Sequence, residues 1–158
     1  MTVTVITVGT LKESYLKEAV GEYKKRLSQY ARVDEVDIKE VRISNEDDAR
    51  EVERALDEEA TRILAAIPEG SYTVALCVEG KQYSSEELAK IVGDAEDRCG
   101  KLALVIGSSH GLAPKVKAAA DLKLSFSRLT FPHQLIRVNL YEAIYRSFTI
   151  LRGKKYHK

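Results

Sequence analysis

The chain has 158 residues, of which 44% are hydrophobic and 31% charged, with no Trp and a formal net charge of +1. That length and apolar content suit one domain, residues 1–158, with an adequate core, and they exclude a disordered or fibrous polypeptide. No apolar run approaches the length of a membrane span, the opening Met1–Thr10 lacks a charged n-region and a cleavage site, and Cys77 and Cys99 have no metal-ligand spacing, so a reduced, soluble, cytoplasmic protein without metal or membrane is expected.

Thr2 to Val8 alternates Thr and Val, the pattern of a strand, and Gly9 ends it. From Glu13 to about Tyr30 the spacing is helical, with Tyr15, Ala19, Tyr23 and Leu27 on one face. Val33 to Val41 reads as a polar-rich strand nearer an edge. Ser44 is the candidate cap of a long charged helix from about Asn45 to Ala66, whose buried stripe is Val52, Leu56, Ile63 and Ile67. Pro68-Glu69-Gly70 breaks it, and Tyr72 to Val78 is an apolar strand covered on both faces. Ser84 and Glu87 fit a capping box for a helix that Gly100 stops. Leu102 to Ile106 is another buried strand. Pro114 opens a short helix, Leu122 to Phe126 is a last short strand, and a helix over 135–150 closes the chain. Strand and helix alternate throughout, so the expected fold is α/β, a mostly parallel sheet with helices on both faces. Ligands of such sheets bind beyond the carboxyl ends of the strands, where Glu79-Gly80-Lys81, Gly107 to Gly111 and Ser127 to Pro132 emerge.

The near-neutral total hides an asymmetry. Residues 1–100 carry 14 basic and 22 acidic side chains, a net of −8, whereas residues 101–158 carry 11 basic and 2 acidic, a net of +9. The basic half is a candidate polyanion surface, and the acids also suit the solvated faces of two long helices. Gly107-Ser108-Ser109-His110-Gly111 offers amides and hydroxyls to a ligand, although turns of this kind also serve purely structural ends; it is neither GxGxxG nor a P-loop. Ser125 to His133 interleaves apolar residues with hydroxyls. A loop so apolar is expected to be buried, either around a ligand or under the sheet. On the closing helix Ile136, Leu140, Ile144 and Leu151 form the core stripe, with Tyr141, Tyr145 and Phe148 beside it, a width that also suits a face shared with a second chain. Asn139, Glu142 and Arg146 share one side, as a surface ion pair or as a functional group. Arg152 to Lys158 supplies cations for phosphates and Tyr156 for stacking on a base.

These motifs resemble a known family. V-I-G-x-S-x-G-L at Val105 to Leu112, L-S-F-S at Leu124 to Ser127, T-F-P-H-Q at Thr130 to Gln134, Tyr145-Arg146 and the terminal R-G-x-x-Y-H-K are similar to the ribosomal RNA large-subunit methyltransferase H family. V-G-x-L-K at Val8 to Lys12 and E-Y-x-K-R-L at Glu22 to Leu27 agree, so the resemblance spans the chain. It implies a SPOUT methyltransferase: a homodimer with a C-terminal trefoil knot, which general connection rules would not anticipate. It implies S-adenosylmethionine as cofactor and, as substrate, ring nitrogen 3 of a pseudouridine in 23S rRNA on the assembled ribosome. The implied cofactor site is Leu76, Gly107, Phe126, Ser127, Arg128, Leu129, Thr130 and Phe131. The implied catalytic and RNA-contacting residues are His133, Glu142, Arg146, Tyr156 and His157. Ser108-Ser109-His110 departs from the family, where relatives often have a second Gly and an Asn. The rivals are a non-catalytic ribosome-binding factor on the same fold and a SPOUT enzyme acting on tRNA or another rRNA position.

Overall fold

The computed structural model describes residues 1–157 and is built on five parallel strands. In chain order the elements are β1 (Thr2–Val8), α1 (Ser14–Leu27), β2 (Arg32–Ile38), α2 (Ala49–Ala66), β3 (Tyr72–Lys81), α3 (Ser85–Cys99), β4 (Lys101–Ile106), α4 (Pro114–Ala119), β5 (Leu122–Leu124) and α5 (Leu135–Leu151). The strands lie in the order β2-β1-β4-β3-β5, and every pairing is parallel. β1 and β4 are nearly all buried, so their Val/Leu/Ile runs are covered on both faces as parallel sheets require. One face packs against α1, α3 and α5 through Val20, Val92, Leu140 and Phe148; the other packs against α2 and α4 through Ala60, Ile63 and Val116. The expected helices on both faces are present.

Local signals explain most boundaries. Ser84 Oγ accepts from Glu87 N, and the Glu87 carboxylate accepts from Ser84 N, so the capping box starts α3 as expected. Gly100 ends it in the left-handed region, at φ 64°. Other expectations need correction. Ser44 does not cap α2: Asn45 folds 45–48 into a turn, and Asp48 caps instead, accepting from Arg50 N at 3.0 Å and Glu51 N at 3.4 Å. The Glu51 carboxylate reaches back to Ser44 N and Asn45 N, which ties the preceding loop to the helix. α1 buries Leu16, Val20 and Leu27, and Tyr15 is 65% exposed. The expected face is right at its end, where Leu27 is buried and Tyr23 packs against the core, and wrong at its start, where Leu16 and Val20 turn inward instead of Tyr15 and Ala19. β3 continues to Lys81 beyond an irregularity after Leu76, and covering fails at its end, where Val78 is exposed.

The charge asymmetry is partly resolved inside the fold. Lys115 pairs with Asp57, Lys117 with Glu79, and Arg152 with Glu96, each joining the basic half to the acidic half. Among the described residues of the basic half Lys101, Lys123, Arg128, Lys154 and Lys155 enter no ion pair, Lys101 Nζ donating to the Glu69 backbone O at 3.1 Å, so the free cations are fewer than the count implied. No helix among those residues is long and apolar enough to cross a membrane.

Candidate functional site

A cleft of about 680 Å³ opens at the carboxyl ends of β3, β4 and β5, a size suited to a small organic ligand. Its floor is Leu76, Ile106 and Leu124, and one wall is the loop Gly107–Leu112. Gly107 has a steric cause: a Cβ there would lie 2.2 Å from Gly111 O, so only glycine lets the loop close on itself. Gly111, at φ 86°, completes the turn, with its N–H donating to Ser108 O at 2.9 Å. The Ser108-Ser109-His110 departure is accommodated within it: Ser108 Oγ accepts from His110 N at 3.3 Å, and Ser109 Oγ meets His110 Nδ1 at 3.4 Å.

The opposite wall is the segment from Ser125 to His133, and it is not folded under the sheet: within it only Ser125 is buried. Leu129 is 72% exposed, and Phe131 and Arg128 are also exposed. Ser125 Oγ donates to Ser127 O at 2.9 Å and Leu129 N donates to Ser127 Oγ at 3.0 Å, while Ser125 N donates to Lys81 O at 3.0 Å. The loop's own hydroxyls satisfy its backbone, so its apolar side chains are free to stand at the mouth of the cleft. Leu76, Gly107, Phe126, Ser127, Leu129, Thr130 and Phe131 all line the cleft, and Arg128 does not. His133 joins the lining, where burial, ahead of the opposing Glu40 charge, pushes its imidazole below the ordinary range. It is therefore neutral at neutral pH and able to accept a proton.

Three polar contributors escaped the sequence reading. Lys117 on α4 lines the cleft and ion-pairs with Glu79 from the end of β3. Arg137 is only 4% exposed; its Nη2 donates to Val8 O at 2.9 Å and Gly9 O at 2.7 Å, pinning the first turn of α5 to the end of β1. Glu59 is 3% exposed and accepts from Val41 N at 3.0 Å, beside the Ser108 hydroxyl. A signal for both was present: each is a charge set between apolar positions of a buried stripe, Arg137 beside Ile136 and Leu140, Glu59 between Leu56 and Ile63.

Burial raises the Glu59 carboxyl above its ordinary range, against the opposing hydrogen bond from Val41. The protonated form therefore stabilises the fold at acid pH, and this stabilisation is lost as pH rises from the ordinary carboxylate range through the raised folded value. Glu59→Gln keeps an acceptor for Val41 N but cannot ionise. In urea titrations between about pH 4 and pH 8 the variant's stability relative to wild type should rise with pH, and a difference independent of pH would contradict the assignment.

A second cluster lies on α5 and the tail. Gly153, at φ 62°, turns the chain as Lys154 N donates to Thr149 O at 2.8 Å, and the tail folds back over its own helix. Tyr156 packs edge-on against Tyr145 at 4.8 Å, and the Arg146 guanidinium lies 4.8 Å from the Tyr156 ring centre. Glu142 Oε1 accepts from Tyr156 Oη at 3.0 Å and pairs with Arg146 Nη2. That carboxylate hydrogen bond, ahead of partial desolvation, strengthens the cationic form of Arg146. Burial first, then hydrogen bonds to Tyr23 and Glu142, push the Tyr156 phenol up, so it stays neutral. His157 completes the group between Arg146 and Glu86. Lys158, part of the expected basic tail, lies outside the described residues.

The structure thus brings Glu142, Arg146, Tyr156 and His157 together but leaves His133 apart. Leu135 and Arg146 are about 16 Å apart along the helix at 1.5 Å per residue, and neither Glu142 nor Arg146 lines the cleft.

Comparison with known proteins adds kinship to this geometry. A family model described as predicted SPOUT methyltransferase matches residues 1–157. The ribosomal RNA large subunit methyltransferase H of Caldicellulosiruptor saccharolyticus is 49% identical over 156 residues, 99% of each chain. The protein of the same name from Shouchella clausii is 42% identical over 163 residues, the whole of both chains. Among solved structures, a probable methylase family protein from Haemophilus influenzae Rd KW20 superposes with a TM-score of 0.54 at 13% identity, covering 99% of this chain and 70% of that one, which speaks to the fold alone.

Proposed function

Since this chain belongs to the SPOUT methyltransferase family, we propose that it transfers a methyl group from S-adenosylmethionine to ring nitrogen 3 of a pseudouridine in 23S rRNA, acting as a cytoplasmic homodimer on the assembled ribosome. The observation that carries this reading is the cleft at the strand ends, with the Gly107 loop on one side and Phe131 and His133 on the other. The residues present fit the cofactor: Leu76, Ile106, Leu129 and Phe131 offer apolar surface to a flat ring, and Glu79 and Lys117 offer polar ends to charged groups. When bound, the cofactor supplies an electrophilic methyl on a sulfonium centre. The trefoil knot belongs to the same reading, supported by family membership.

This chain's own residues would then position and deprotonate the base. Methyl transfer needs alignment more than covalent help, and no metal. The ring N–H must lose a proton to become nucleophilic, and Arg146, held by Glu142, would favour the resulting anion. Tyr156 offers a ring for stacking. Because the cleft and the Arg146 cluster lie far apart within one chain, a complete site calls for two chains, with the cleft of one facing the tail of the other. The substrate surface would combine Arg128, Lys154 and Lys155 of both subunits, cations that enter no ion pair among the described residues.

Incubation of ribosomes with methyl-labelled S-adenosylmethionine, followed by mapping of the labelled nucleotide, tests the proposal. Label at nitrogen 3 of one 23S pseudouridine is the expected outcome. No label in 23S rRNA would refute the activity, and equal labelling of protein-free 23S rRNA would refute the requirement for an assembled ribosome.

A further inference from the structure

We propose that Glu86 is a positioning residue that fixes His157 in its Nε2–H tautomer, which makes His157 Nδ1 the proton acceptor in methyl transfer; the inference rests on the methyltransferase reading above. Glu86 sits in the first turn of α3, beside the capping box that Ser84 and Glu87 form. Its Oε1 lies 2.8 Å from His157 Nε2, a contact across 71 residues of sequence. On the other side of the same ring, Nδ1 lies 3.2 Å from Arg146 Nη1.

The tautomer follows from the chemistry of these two partners. A guanidinium has only donors, so Nδ1 must present its lone pair to Arg146. The single proton of the neutral imidazole is then on Nε2 and is donated to Glu86. An imidazolium in this position would point an N–H at an N–H and set two cations side by side. The Glu86 carboxylate is suited to the task. It is held below its ordinary range by a backbone amide at the helix N-terminus first and by the His157 ring second, so it stays anionic.

The arrangement couples two events. At rest Arg146 covers the His157 lone pair. When Arg146 turns its fork towards the bound, still neutral base, Nδ1 is uncovered next to the same ring. The ring N–H bond then breaks with its proton passing to Nδ1, giving an imidazolium whose Nε2–H remains on Glu86. The electron pair left on ring nitrogen forms the new N–CH3 bond, and the pair of the broken C–S bond stays on sulfur as a neutral thioether. A carboxylate behind an imidazole is how many hydrolases orient their base; here the residue behind it comes from a different helix.

Glu86→Ala and Glu86→Gln in the full-length protein provide the test. Glu86 is exposed, so both variants are expected to melt as wild type does. Glu86→Ala should lower kcat on ribosomes by about 10- to 100-fold, the lower part of the range for acid–base groups, with the KM and calorimetric Kd of S-adenosylmethionine unchanged. Glu86→Gln, which keeps an acceptor for Nε2–H but not the charge, should lie between. Nitrogen-15 NMR should show His157 as the Nε2–H tautomer in wild type and as a mixture in Glu86→Ala. Wild-type kcat in Glu86→Ala, or an Nδ1–H tautomer in wild type, would overturn the inference. Wild-type protein that binds cofactor and shows the Nε2–H tautomer but labels no ribosome would instead remove the methyltransferase reading, and the catalytic role with it.

Discussion

Arg146→Ala is expected to leave the affinity for S-adenosylmethionine within about twofold of wild type and to lower turnover on ribosomes by about 10²- to 10³-fold, the cost of removing one preorganised group that stabilises charge developing in a transition state. The two halves of that expectation come from geometry. Arg146 does not line the cleft, so the cofactor has nothing to lose by its removal. It is, however, the cation at the centre of the tail cluster, touching Glu142, the Tyr156 ring and His157. Stability should change little, by about 1 kcal/mol or less, because the Glu142–Arg146 pair is partly exposed. Arg146→Lys retains the charge but loses the flat fork that bridges carboxylate and imidazole, and should recover only part of the rate. Calorimetry with S-adenosylmethionine and single-turnover methylation measure the two halves separately. Wild-type turnover in Arg146→Ala would remove the residue from the mechanism.

The elements that read well in the sequence are those in which one physical signal dominates. β4 and β1 are continuous apolar runs, and the Ser84–Glu87 box with Gly100 gives α3 both its start and its stop. α2 read badly at its start because two capping residues compete there. Asn45 spends its side chain on a turn, and Asp48, closer to the first apolar position, wins the helix. The start of the α1 stripe misled because tyrosine is amphipathic: Tyr23 packs against the core and Tyr15 stands in solvent, although both hold places in the same four-residue pattern. The site was legible in type and less so in arrangement. The pattern around Gly107 and Ser125–His133 located the cleft, but the hydroxyl contacts that leave Leu129 exposed are a property of backbone geometry. The distance between His133 and Arg146 was implicit in the helix between them, at 1.5 Å per residue.

Gly107→Ala carries the last expectation, and its largest use is in combination with Arg146→Ala. A Cβ at position 107 would lie 2.2 Å from Gly111 O and 2.5 Å from Gly111 C, backbone atoms that no side-chain rotation moves aside. The loop must open, at a cost of about 1–3 kcal/mol for overpacking. Opening displaces the wall against which the cofactor would lie, so affinity for S-adenosylmethionine should fall by about 10-fold or more, each 1.4 kcal/mol of lost contact being one decade. With S-adenosylmethionine held well below its wild-type Kd, each variant alone is then impaired by about 10-fold or more, for unrelated reasons: one has a weakened cleft, the other lacks the cation. If each site takes its cleft from one subunit and its Arg146 cluster from the other, a mixed dimer contains one site with both defects and one with neither. Co-expressed, differently tagged chains that pair at random should regain about a quarter of the wild-type sites, and dimers purified through both tags about half. If instead the cleft and the cluster of a single chain serve one site, every site in the mixed dimer carries one defect and activity stays at the level of the parents. Doubly tagged dimers that bind cofactor yet show no recovery would therefore refute the two-chain site, while recovery would assign the His133 and Arg146 sides of the reaction to different subunits.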